Sequence, residues 1–145
     1  MNITIIGNTK TSQTLTKQIQ QKGHTVQKPN KKTLKQALQN KIILISTTKK
    51  EFEQTLHNIK NNLKHNTIII DTLKNKTYST QKMKEILPKK VHMLSMYPYN
   101  NKEIGIIRVQ TKLYMLNMIK HTLKKLGYKT ITTTPQEHDQ KMKNQ

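Results

Sequence analysis

The sequence predicts an α/β fold with a mainly parallel sheet. Two observations carry this prediction. Compact apolar runs alternate along the chain with segments that have helical spacing, an order typical of βα units. The first run, Asn2–Ile6, also leads directly into Gly7 and a polar helical segment. At 145 residues, the chain is long enough to bury a core, and no linker divides it. We therefore expect a single domain.

Seven strands are expected at the apolar runs Asn2–Ile6, His24–Gln27, Lys41–Ser46, Thr67–Asp71, Val91–Ser95, Ile104–Gln110 and Tyr128–Thr133. Helices are predicted between them at Ser12–Lys22, Lys31–Gln39, Lys49–Leu63, Thr80–Leu87 and Leu113–Leu126. Within the third helix, Phe52, Leu56 and Ile59 share one face, as they would on a sheet. The segment from Pro135 to Gln145 has the pattern of the first turn or two of a further helix, with the acids Glu137 and Asp139 near its start.

The opening segment indicates the type of α/β fold. A strand, a glycine, a helix and then a second strand after Gly23 form the first unit of a doubly wound, Rossmann-like domain. In such folds the phosphates of a nucleotide lie at the N-terminus of the first helix. The dinucleotide fingerprint G-x-G-x-x-G is incomplete, because Gly7 is followed by Thr9 and Ser12 at the other two glycine positions.

The turn residues Gly7, Asn8, Thr9, Lys10, Thr11 and Ser12 are the first candidates for cofactor binding. Gly7 supports the bend, the hydroxyls of Thr9, Thr11 and Ser12 can donate to phosphate, and Lys10 can neutralise it. The alternative is a turn that only caps a helix.

Further candidates follow the next strands. Lys28 and Lys31 lie where NAD-selective proteins carry an acid. Two cations at this place favour NADP over NAD. The alternative is that these residues are only an exposed lysine cluster. Ser46, Thr47 and Thr48 end the third strand and Asp71 ends the fourth, at the sheet edge where ligands bind. The residues after the third strand could equally N-cap a helix. The expected cofactor is NADP, or NAD.

Composition limits other functions. The formal charge is +20, yet Arg108 is the only arginine among 27 basic residues. This leaves two readings open: a solvated lysine-rich surface, or a polyanion-binding protein. Either predicts nonspecific nucleic-acid binding at low salt. The chain has no cysteine and its six histidines are scattered, so no metal site is expected. No apolar stretch could span a bilayer and no leader is visible, so a cytoplasmic protein without membrane contact is expected.

Several landmarks together resemble the N-terminal cofactor domain of prephenate dehydrogenases, the oxidoreductases of tyrosine biosynthesis. They are Ile3–Gly7, Lys22–Val26, Ile42–Thr47, Thr67–Thr72 with Lys76, Leu87–Pro88, Met96–Tyr97 and Leu126–Asp139. The last run is similar to the junction motif G-x-x-V-x-x-x-x-P-E-E-H-D between the two domains of that family. The resemblance implies an NAD(P)-binding domain over residues 1–134 and the start of a junction helix over residues 135–145.

The departures from the family bear on catalysis. In the family motif D-x-x-S-x-K the serine contacts substrate, and Lys74 stands at that position here. The histidine of H-P-M-x-G accepts the substrate proton, and Leu94 stands there, with His92 as a displaced candidate. The second, helical domain has no counterpart among the 145 residues. We expect no catalysis by this chain alone, and a separately encoded helical or dimerisation partner could complete a pocket. The alternatives are a non-catalytic Rossmann scaffold and a basic polyanion-binding protein.

Overall fold

The sheet contains seven strands, and the computed structural model describes residues 1–144. The strands are β1 (Asn2–Ile6), β2 (Thr25–Gln27), β3 (Ile42–Ile45), β4 (Ile68–Asp71), β5 (His92–Pro98), β6 (Glu103–Gln110) and β7 (Lys129–Thr132). The helices are α1 (Lys10–Gln21), α2 (Leu34–Ala37), α3 (Lys49–Ile59), α4 (Lys76–Ile86), α5 (Leu113–Lys125) and α6 (Pro135–Lys143), and a 3₁₀ turn at Lys60–Asn62 extends α3.

The strand order is β2-β1-β3-β4-β5-β6-β7, and all neighbours are parallel except β5 and β6. From β1 the chain crosses to β2 on one side and then returns to β3 on the other. The boundary between β1 and β3 is therefore the switch point of a doubly wound sheet, the place where such folds bind ligands. This arrangement confirms the predicted single-domain Rossmann-like fold.

Two apolar cores cover the two faces of the sheet. On the first, which we call the α1/α5 face, side chains of α1 and α5 such as Leu15 and Ile119 pack on alternate strand residues. On the second, the α3/α4 face, Phe52 and Met83 pack on the intervening residues. Because both faces are covered, β3 is buried at every position. This explains why the central strands are continuous apolar runs rather than alternating patterns.

The helices lie where the sequence predicts them, their bounds shift by up to four positions, and the shift that bears on the site is that of α4. It begins at Lys76, four positions before the predicted Thr80, and Asn75 caps it by accepting from the N–H of Tyr78. Periodicity missed its first turn because polar side chains are buried there. The second helix is only the short α2. The first helix begins at Lys10 rather than Ser12, and α3 ends at Ile59.

The fifth strand is longer than predicted. It continues beyond Ser95 to Pro98 because β6 returns beside it as an antiparallel hairpin, with Pro98 opposite Ile104. Tyr97 and Tyr99 are thereby held at the end of the hairpin. The last helix, α6, packs against α4, and this contact shapes part of the candidate site.

Candidate functional site

Gly7 makes the turn after β1 possible. Its φ is +116°, a conformation that side-chain-bearing residues rarely adopt. A Cβ placed on it would also overlap the backbone carbonyl of Ser46 at the end of β3. Glycine therefore lets the turn lie directly against β3 at the switch point.

The other two fingerprint positions bond to each other. Thr9 is the N-cap of α1: its hydroxyl accepts from the N–H of Ser12 at 3.2 Å, while the Thr9 N–H donates to the Ser12 hydroxyl at 2.9 Å. This is a reciprocal capping box. Part of the helix terminus that binds pyrophosphate in dinucleotide-binding proteins is thus occupied by the chain's own hydroxyls.

A chain of three hydroxyls crosses the switch point. The hydroxyls of Thr9 and Ser46 lie 2.8 Å apart, and Thr72 donates to the Ser46 hydroxyl at 2.8 Å. These residues follow β1, β3 and β4 respectively. We call them the hydroxyl chain. It bridges the floor of the crevice in which a dinucleotide lies in such folds.

Two backbone donors in the first turn of α1 remain available. Within residues 1–144, the backbone N–H groups of Lys10 and Thr11 have no hydrogen-bond partner. The Lys10 side chain is exposed and Thr11 is half-buried. Asn8 accepts from the side chain of Gln13 at 3.2 Å. Within the first turn of α1, Lys10 and Thr11 can therefore meet a phosphate without first breaking an internal bond.

The remaining predicted residues follow the ends of β2 and β3. Thr48 accepts from the N–H of Glu51 at 3.4 Å and so caps α3. This is the alternative role, capping of a helix, that the sequence offered for the residues after the third strand. The Thr47 hydroxyl is buried without a partner in the described chain. Lys28 and Lys31 are exposed after β2, beside β1. The fold thus places all predicted cofactor residues at the carboxyl ends of β1–β4.

Asp71 forms a buried ion pair that the sequence analysis did not assign. Its Oδ2 lies 3.2 Å from the Nζ of Lys76, and both side chains are essentially unexposed. Lys76 also donates to the backbone carbonyl of Met96 at 2.8 Å. Burial lowers the pKa of Lys76, and the nearby Asp71 carboxylate offsets part of that effect. The pair connects β4, α4 and β5, so the predicted role of Asp71 as a cofactor contact competes with a structural one.

Asp139 of α6 caps the first turn of α4. Its two carboxylate oxygens accept from the backbone N–H groups of Lys76 at 2.8 Å and Thr77 at 2.9 Å. Burial opposes ionisation of Asp139, but hydrogen bonds from Thr77 and Lys76 outweigh it and lower the pKa. The junction motif thus fastens α6 to the site.

His138 is buried beside the same turn. Its Nε2 lies 2.8 Å from the carbonyl oxygen of Lys74 and its Nδ1 lies 3.0 Å from the hydroxyl of Tyr99. The rings of Tyr97 and Tyr99 pack around it. Burial lowers the pKa of His138 and raises that of Tyr99. The junction motif Leu126–Asp139 contains this histidine, but the sequence placed only its acids Glu137 and Asp139 near the helix start and did not predict these contacts.

Lys74 and Leu94 stand at the positions that the family resemblance pairs with a serine and a histidine, and their surroundings differ. Lys74 is exposed, before α4. Leu94 is fully buried in the core of the α1/α5 face. His92 begins β5 at the opposite edge of the sheet, where its Nδ1 lies 2.9 Å from the Thr111 hydroxyl, so it cannot stand in for a histidine at the ligand edge.

Residues 1–144 present neither a metal-ligand cluster nor a helix suited to a bilayer. No cluster of three or more histidine, aspartate or glutamate residues could hold a metal ion there. No helix in that range is both long and apolar enough to cross a bilayer.

The fold matches solved dehydrogenase structures. Arogenate dehydrogenase from Synechocystis superposes with a TM-score of 0.83 and 18% identity over 97% of this chain. Prephenate dehydrogenase from A. aeolicus, in complex with hydroxyphenyl propionate and NAD+, gives 0.82 and 13% over 96%. A semialdehyde dehydrogenase NAD-binding protein from Cupriavidus necator, in complex with calcium and NAD, gives 0.72 and 13% over 94% of this chain and 64% of that one.

These matches confirm the resemblance to prephenate dehydrogenases, and at such identities they show the fold alone. This chain spans 62% of the length of each of the first two structures. No family model and no curated protein matches the sequence.

Proposed function

We propose that this chain is a nicotinamide-dinucleotide-binding domain of the prephenate dehydrogenase type that does not transfer hydride by itself. The observation that carries the proposal is the superposition on arogenate dehydrogenase over 97% of the chain. The Gly7 turn at the switch point and the docked α6 support it. The unit consists of a binding domain, residues 1–134, and a junction helix.

The residues at the switch point fit a dinucleotide in part. Its phosphates would be held by the free N–H groups of Lys10 and Thr11 and by the Lys10 ammonium. Glycines at positions 9 and 12 would leave space for the phosphates and leave the N–H groups of the turn free. Here the side chains of the hydroxyl chain and the capping box fill that space and bond to those N–H groups. We therefore expect weak binding. The bound nicotinamide would supply a hydride acceptor.

NADP is the preferred form in this proposal. The exposed Lys28 and Lys31 follow β2 and no acid lies between them. An acid after β2 holds the ribose hydroxyls of NAD, whereas a cation there accommodates the 2′-phosphate of NADP.

The lack of turnover follows from the two replaced positions. A leucine has no lone pair with which to accept a proton, and Leu94 is buried in a core. Lys74 presents an exposed ammonium where a serine hydroxyl would contact substrate. We expect no NADP reduction with prephenate or arogenate. Detectable turnover by the purified chain would refute this part of the proposal. We also propose that a separately encoded helical partner chain could complete a pocket.

Calorimetric titration with NADPH and NADH tests binding. The decisive variant is Thr9→Gly/Ser12→Gly, which restores the fingerprint and removes the capping box. We expect it to bind NADPH at least about tenfold more tightly than the wild type, since one tenfold step equals about 1.4 kcal/mol. NADH should bind more weakly than NADPH.

The matched control is Gln20→Gly/Gln21→Gly, at two exposed positions at the far end of α1. It weakens the helix by a similar amount, about 1 kcal/mol per glycine, without touching the turn. If neither the wild type nor the fingerprint variant binds either nucleotide, the cofactor proposal fails. An equal gain in the control would show that helix loosening, rather than the fingerprint, is responsible.

A further inference from the structure

Acidic side chains are distributed unevenly over the two faces of the sheet. The chain has seven acidic residues. Five of them lie on helices of the α3/α4 face and on α6, namely Glu51, Glu53, Glu85, Glu137 and Asp139, while Asp71 is buried and Glu103 begins β6. Neither α1 nor α5 carries an acid. The positive potential is therefore least compensated on the α1/α5 face.

Lysines occupy this uncompensated region. Lys10 and Lys17 lie on α1, and Lys120, Lys124 and Lys125 lie on α5. The ion pairs within residues 1–144 involve only Lys76 and Lys82, so none neutralises these side chains. On the α3/α4 face, in contrast, Lys82 pairs with Glu53 at 2.7 Å.

Three adjoining depressions form one groove at this side of the molecule. The first, of 250 Å³, lies between Lys10 and the β5–β6 turn. It shares Asn100 and Asn101 with the second, of 660 Å³. The second shares Lys129 with the third, of 510 Å³, which extends along the end of α5. We call this continuous depression the basic groove.

The charge of the basic groove is strongly positive. Its cationic residues are Lys10, Lys102, Lys120, Lys124 and Lys129, and Glu103 is its only acid. Glu103 accepts from the side chain of Asn100 at 3.0 Å. A lysine on the edge strand β7 would discourage strand pairing between molecules, which accounts for Lys129. That explanation does not extend to Lys102 on the hairpin or Lys124 on α5.

We propose that the basic groove binds the phosphodiester backbone of single-stranded nucleic acid without sequence preference. Lysine binds phosphate as a point charge, whereas arginine provides the planar fork suited to carboxylates and bases, and the groove has no arginine. The depressions have volumes of 250, 660 and 510 Å³, and we expect a narrow, extended single strand to follow them better than a duplex. No exposed aromatic ring lines the groove within residues 1–144, so bases are not read by stacking.

The test measures fluorescence anisotropy of a labelled twelve-nucleotide oligothymidine at several KCl concentrations, with the full chain. The groove variant is Lys124→Gln/Lys129→Gln. The matched control, Lys50→Gln/Lys84→Gln, removes the same charge from exposed positions of α3 and α4. Lys10 is left unchanged, so that failure here is distinguishable from failure of dinucleotide binding.

The groove variant should bind about tenfold more weakly at 0.1 M KCl, and its log–log salt slope should fall by about 1.4, or ~0.7 per lost phosphate contact. The control should change by less than about twofold, because its lysines lie outside the groove. Circular dichroism should show both variants folded.

Four outcomes would overturn the proposal: no binding by the wild type at 50 mM KCl, equal losses in both variants, equal affinity for a duplex, or tighter binding of a polyglutamate peptide by the same lysines. Equal losses would mean that the total charge, rather than the groove, attracts the oligonucleotide.

Discussion

Asp139 accepts a hydrogen bond from the backbone N–H of Lys76 at 2.8 Å, although the two residues are 63 positions apart in sequence. The same carboxylate accepts from Thr77. An anion at the first turn of a helix stabilises it through both the hydrogen bonds and the helix dipole. Helix α6 is thus part of the folded domain rather than a loose extension.

Asp139→Ala should lower the free energy of unfolding by about 1–2 kcal/mol, because it exposes two uncapped N–H groups of α4. Urea denaturation measures the change. Gln140→Ala is the control, since that neighbour is exposed on the same helix and should change stability by less than about 0.5 kcal/mol. Equal stability of Asp139→Ala and wild type would contradict the proposed cap.

Lys76→Met should be far more destabilising than a surface change of the same kind. It leaves the Asp71 carboxylate buried without its cation, which costs about 3–5 kcal/mol. The control is Lys82→Met, which breaks a solvent-facing pair with Glu53 and should cost less than about 1 kcal/mol.

A double-mutant cycle with Asp71→Asn separates the pair from simple packing. The loss in Lys76→Met/Asp71→Asn should be smaller than the sum of the single losses by more than about 1 kcal/mol. Strict additivity of the two changes in urea denaturation would argue against a coupled buried pair.

Gly7→Ala should prevent stable folding, whereas Gly23→Ala should not. Both glycines have positive φ, so each substitution brings backbone strain of about 1–2 kcal/mol. Only at position 7 would the new Cβ also overlap backbone, that of Ser46, while position 23 is open. Thermal unfolding followed by circular dichroism compares the two. Similar melting temperatures would show that the turn can move away from β3.

Stability should fall between neutral and mildly acidic pH, partly through His138. Burial lowers the pKa of its imidazole in the folded chain, so the unfolded state binds the proton more readily. The stabilisation is present above about 6.5, the unfolded pKa, and is lost as the pH falls through the lower folded pKa.

His138→Gln removes that titration, so its melting temperature should fall less than that of the wild type between pH 7.5 and pH 5.5. His92, whose pKa is also lowered by burial and by neighbouring lysines, is present in both proteins and cancels in the comparison. Parallel curves for the two proteins would contradict a role for His138.

The sequence determined the architecture because its signals are local. Buried parallel strands must be continuous apolar runs, and the glycine after β1 is required by backbone geometry at a single position. The same locality explains the error at α4. Its first turn carries the polar residues Lys76 and Ser79, which are buried, so no periodic apolar pattern marks it.

Only the tertiary structure decided how the polar residues pair. The sequence presented Thr9 and Ser12 as either phosphate ligands or caps. Hydrogen bonds across the turn and to Ser46 show that both serve the protein itself. Asp71, Lys76 and Asp139 form one cluster because α6 packs against α4, whose first turn lies beside the end of β4. Likewise, the number of lysines is a property of the sequence, but the groove arises from folding, which places all but one acid elsewhere. Hydrogen bonds and charge complementarity depend on distances of a few ångströms, and the folded chain sets those distances between residues far apart in sequence.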